Sequence, residues 1–118
     1  MSTPDAHKPT LPEPGLAEVA ARFAEIASSI EAGKADASIM ALMEEGERLC
    51  GRTVPGPDEA KELLPRLVTM FQTWRTVWKR LGCQHDFRLA VVREARLWSA
   101  RIAELGQRAR SVGNGRVA

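Results

Sequence analysis

A chain of 118 residues and 13.0 kDa has room for one hydrophobic core and not for two. Its 44% of apolar residues suffices for a packed interior, and two cysteines are too few for a disulfide-held secreted framework. The net charge of +2 conceals an asymmetry: residues 1–60 hold 5 Lys/Arg against 11 Asp/Glu, and residues 61–118 hold 12 against 4. An acidic half is therefore expected to pack on a basic half and cancel it, leaving at most a surplus basic face.

Residues 1–15 contain four of the seven prolines and read as a flexible, extended arm. They hold no apolar run of the kind a secretory leader needs, and no later stretch reaches membrane-spanning length. The expectation is a cytoplasmic protein with reduced thiols. A single helical domain follows over residues 16–110, with a loose tail at 111–118. The first helix opens near Leu16 and carries Leu16, Val19, Phe23, Ile26 and Ile30 at spacings of 3, 4, 3 and 4, widened by Ala20 and Ala27. Gly33 is placed to terminate it, and Asp36 to cap the second helix. The second helix sets Ile39, Leu42, Met43, Leu49 and Cys50 on one side, and Gly46 occupies a position where a close backbone approach is expected.

Around GRTVPGPDEA the second helix ends and the third begins, with Pro57 at its first position and Asp58 and Glu59 facing the amino-terminal dipole. The third helix reads as a heptad of Ala60, Leu63, Leu67, Met70, Trp74, Val77 and Leu81, with a flanking row of Leu64, Phe71 and Trp78. Pro65 lies opposite the heptad and predicts a kink, not a break. Gly82 closes the helix, Asp86 is expected to cap the fourth, and Val91, Ala95, Trp98, Ile102, Leu105 and Ala109 continue the pattern. An antiparallel turn at Gly82–Asp86 would face Val77 with Val91, Trp74 with Ala95, Met70 with Trp98, Leu67 with Ile102, and Leu63 with Leu105. That register puts Trp74 and Trp98 in the core. The predicted fold is all-α, a four-helix antiparallel bundle with coiled-coil-like seams made of two helical hairpins.

Chemistry is hard to find. Cys83-Gln84-His85-Asp86 brings a thiol, an imidazole and a carboxylate together, but a zinc site needs four ligands. Only His7, Cys50 and scattered carboxylates could complete one, and the usual ligand spacings are missing. A catalytic cysteine needs a pocket and a lowered pKa, which a tight interhelical turn does not supply. No glycine-rich phosphate loop, H-E-x-x-H or G-x-S-x-G is present. No catalytic, metal or cofactor-binding residue is assigned, and no enzyme is expected.

The features that remain favour binding. Trp78, beside Arg75 and Lys79, reads either as packing beneath the amino-terminal hairpin or as an anchor for another chain. Leu89 and Leu97 fall off the main stripe of the fourth helix and mark either an apolar patch, with Val92, Arg93 and Arg96 beside them, or a contact with the first two helices. Arg88, Arg93, Arg96, Arg101, Arg108 and Arg110 also raise nucleic acid as a partner, although they surround the helix and do not line one side.

Two resemblances accompany these patterns. LAEVAARFAEIASSIEAG, a second helix ending in GRTVPGP, and two long helices ending in ARIAELGQRARS resemble, over about residues 16–111, the small flagellar export chaperones. The likeness implies a cytosolic protein that sheaths the amphipathic terminal helix of an export substrate along the fourth helix. IEAGKADASIMALMEEGERL is similar to the helical hairpin of the exonuclease VII small subunit, with Glu44, Glu45, Gly46 and Leu49 on its E-E-G-x-x-L pattern. That likeness implies a non-catalytic partner subunit. The combined expectation is a helix-binding chaperone or adaptor, with nucleic-acid association as the rival and a homodimer open to any uncovered apolar stripe.

Overall fold

A computed structural model describes residues 15–53 and 58–117, with side chains as far as Arg108. Four helices follow one another: α1 (Leu16–Glu31), α2 (Asp36–Arg52), α3 (Asp58–Leu81) and α4 (His85–Val117). The expected arm and the first-turn role of Pro57 lie outside the described residues. α4 runs on to Val117 through the segment expected as a loose tail. That segment has no proline, and an established helix gains one hydrogen bond for each residue it adds.

α1 buries every residue of its predicted stripe. At its start the Gly15 amide donates to the Glu18 carboxylate at 3.3 Å, half of a capping box whose other half glycine cannot supply. At its end Gly33 takes φ +72°, the Gly33 amide donates to the Ile30 carbonyl, and the Lys34 amide donates to that of Ser29. This left-handed closure is what the glycine was expected to provide. Asp36, however, does not cap α2. Ala35 holds that position in extended backbone and Asp36 is the first helical residue. Asp86 likewise lies inside α4, after His85, so its role as a cap is also corrected. A carboxylate one or two residues inside a helix still complements the dipole, which leaves the two placements alike in sequence.

The four helices form a bundle whose two extensive seams are α1 against α4 and α2 against α3. α1 and α2 also touch, whereas α3 and α4 meet only sparsely. The connectivity is that of two hairpins, but the predicted facing of α3 on α4 does not hold. α3 is rotated so that Ala60, Leu64, Leu67, Phe71, Trp74 and Trp78 are buried. Leu63, Met70 and Val77 are only half-buried. The row that won carries the large aromatics, whose burial removes more apolar surface from water. Pro65 is exposed, so the carbonyl it leaves without a donor remains open to water.

Phe71 organises the interior. Its ring stacks on Phe23 of α1 with centroids 4.7 Å apart, and both rings meet Trp74 edge-on at 5.7 and 5.9 Å. The third wall is Gly46 of α2, where an added Cβ would fall 2.6 Å from the Phe71 ring. The glycine is therefore a close-approach residue, as its position in the stripe suggested. On the α1–α4 seam, buried Ala20, Ala27 and Ala95 let the backbones approach, and the Ser99 hydroxyl donates to the Ala20 carbonyl at 2.8 Å.

Candidate interaction surface

The turn between α3 and α4 resolves the tryptophan-arginine-cysteine-histidine stretch. Trp78 is only 2% exposed, so it is not an anchor for another chain. Its indole Nε1 donates to Asp36 Oδ1 at 3.2 Å, which joins the α3 end to the start of α2. Arg88 lies over the same indole with its guanidinium carbon 5.2 Å from the ring centroid, and Phe87 covers another side at 5.6 Å. Arg88 also donates from Nε to the Gly82 carbonyl at 2.6 Å and from a terminal nitrogen to Asp36 at 3.0 Å. Trp78, Asp36 and Arg88 thus satisfy one another at a corner of the bundle. Sequence reading missed Asp36 and Arg88 as partners, because their separation of 52 residues leaves no local signal.

Cys83 and His85 are exposed beside this corner. Among the described residues no three of His, Cys, Asp and Glu converge in a way that could hold a metal ion. Cys50 is buried, and desolvation pushes its thiol up to about 12, so it keeps its proton at neutral pH. No helix among the described residues is long and apolar enough to cross a membrane.

Two large apolar side chains stand out from the fold: Leu89, 44% exposed, and Leu97, 61% exposed. Leu89 edges a cleft of about 350 Å³ between α1 and α4, lined also by Ile30, Glu31, His85, Arg88 and Val92. Leu97 edges a shallower groove of about 600 Å³ along α4, with Ala100, Ala103, Glu104 and Gln107. Val92 is buried against the core, so it floors the cleft and offers a partner little surface. Of the residues expected to meet a partner, Leu89, Arg93, Arg96 and Leu97 share the outer side of α4, while Trp78 and Val92 belong to the interior.

The expected cancellation of charge is visible in long-range ion pairs. Glu47 pairs with Arg75, Asp36 with Arg88, Glu31 with Arg96, and Glu59 with Arg108, the last at 3.6 Å. Gln72 adds a 2.8 Å hydrogen bond to Glu47. Arg101 stacks on Trp98, which is half-buried and not the core residue expected, because α3 stands away from it. Arg93 pairs with no carboxylate among the described residues. Four arginines of the basic half are thus met by carboxylates of the acidic half. Compared with models of protein families, with curated proteins and with solved structures, the chain matches none.

Proposed function

We propose that the chain is a non-enzymatic helical adaptor or chaperone that receives an amphipathic helix of another protein along the outer side of α4. The observation that carries this reading is the exposure of Leu89 and Leu97, when the other large apolar side chains among the described residues are buried or half-buried. Leu89 offers the deeper contact, because its cleft between α1 and α4 has an apolar floor in Ile30 and Val92 and a charged rim in Glu31 and Arg88. A partner helix with one apolar edge and mixed charge beside it fits such a rim. Arg93 and Arg96 flank the same side, but Arg96 is engaged by Glu31.

The test is to place a photo-crosslinking residue at position 89 in the full chain and identify the captured segment in the source cytosol. The expected capture is one amphipathic helical segment, retained at high salt and lost in Leu89→Asp with the circular dichroism unchanged. Nucleic acid released steeply by added salt would reassign the surface to phosphate contact. Unfolding of Leu89→Asp would show that the side chain belongs to the core.

A further inference from the structure

We infer that the outward face of α4 pairs with α4 of a second copy of the chain, antiparallel and about a two-fold axis. The helix carries a second heptad on the side away from its core. Ala90, Arg93, Leu97, Ala100, Glu104 and Gln107 recur at spacings of 3, 4, 3, 4 and 3, and all six are exposed. Arg93 and Glu104 are the two charged members of this stripe. Arg88, Arg96 and Arg108 find carboxylates in their own chain, whereas Arg93 and Glu104, like Glu94 and Arg101 off the stripe, make no ion pair among the described residues.

The stripe is complementary to itself when reversed. In the register that centres the axis between Trp98 and Ser99, Arg93 of each copy faces Glu104 of the other. In the same register Leu97 faces Ala100, and Ala90 faces Gln107. Any two heptads can be aligned somewhere, so alignment alone decides nothing. Here one register matches opposite charge with charge and a large side chain with a small one, twice over, as an isologous contact requires. The parallel arrangement would instead set Arg93 against Arg93 and Glu104 against Glu104. Arg93 and Glu104 are three helical turns apart, about 16 Å along the axis, so both ion pairs flank the central leucine-alanine layers. Ala90 and Ala100 allow the backbones to approach. Leu89, about 80° around the helix from Leu97, flanks this seam on the side of Ala100 and Gln107. The pairing needs no second protein and stands apart from the adaptor reading, although it shares Arg93 and Leu97 with it.

Sedimentation of the full chain over a range of concentrations tests the proposal. The unmodified chain should form a reversible dimer. Arg93→Glu and Glu104→Arg each create like-charge contacts at both ends of the seam and should weaken it by about tenfold or more. Both side chains are exposed and make no ion pair among the described residues, so circular dichroism should not change. Mixing the two single variants restores both opposite-charge contacts in a heterodimer, and the double variant restores them in a homodimer. Recovery in both cases supports the register. A chain that stays monomeric at its highest soluble concentration overturns the proposal, as do a dimer indifferent to both changes and single variants that fail to recover on mixing. Each of these failures leaves crosslinking at position 89 unaffected, so the adaptor reading is judged separately.

Discussion

The Trp78 corner and the outer face of α4 are built from the same residue types, arginine beside a large apolar side chain, and the fold uses them oppositely. At the corner a carboxylate arrives from α2, and Asp36 accepts hydrogen bonds from both the Trp78 indole N–H and the Arg88 guanidinium. On the outer face Arg93 and Leu97 are exposed, with no described element above them. What separates structure from surface here is whether a distant segment supplies the missing acceptor. A tryptophan among arginines is not in itself a binding signal.

The comparison breaks most visibly at the corner. Trp78→Ala should cost about 3–5 kcal/mol, read by denaturant unfolding, because it empties a fully packed site between three helices. A loss below 1 kcal/mol would mean that the indole is not packed as described. The two thiols offer a second contrast. Cys83 should react with a thiol reagent in the native protein and Cys50 only on unfolding. Because burial raises the Cys50 pKa in the folded state, the unfolded chain loses its proton first as pH rises. Stability should therefore be complete below about pH 9 and fall towards pH 12, and Cys50→Ala should flatten that slope.

Asp36→Ala tests the corner more gently. It leaves the indole and the guanidinium without their acceptor and should cost about 1–2 kcal/mol, with a red-shifted tryptophan emission. Leu97→Asp should change stability by less than about 0.5 kcal/mol while abolishing self-association. If Leu97→Asp were as damaging as Trp78→Ala, the outer face would be interior and the contrast would collapse.

Helix number and order, and the breaks near 33 and 82, were readable because apolar residues repeat at helical spacing and glycine punctuates them there. The stripe of α1 and the close approach at Gly46 were equally legible, since each depends on a single helix surface. The facing of α3 was not. Two adjacent rows, one of Leu63, Met70 and Val77 and one of Leu64, Phe71 and Trp78, satisfy the same period. Choosing between them depends on which neighbour α3 meets. That is a tertiary property: it buried Trp78, whose packing and anchoring readings were both open, and left Trp98, expected in the core, half-buried. The exposure of Leu89 and Leu97 was readable, because both fall outside the core stripe of α4. The partners of the arginines were not, since ion pairs between distant helices leave no local trace.

The seam between α1 and α4 also sets an order in time. α2 and α3 are neighbours in the chain and can meet as soon as both exist, whereas α1 must wait for a partner that begins at His85. At synthesis rates of about 5–20 residues per second, that delay lasts several seconds. Over that interval the side of α1 that meets α4 around Ala20 has nothing to cover it, and closing so long a loop is the slow part of forming a native topology. The interior of the finished protein is thus, for a newborn chain, its most adhesive surface, and α4, made after the three helices before it, is the one that puts it away.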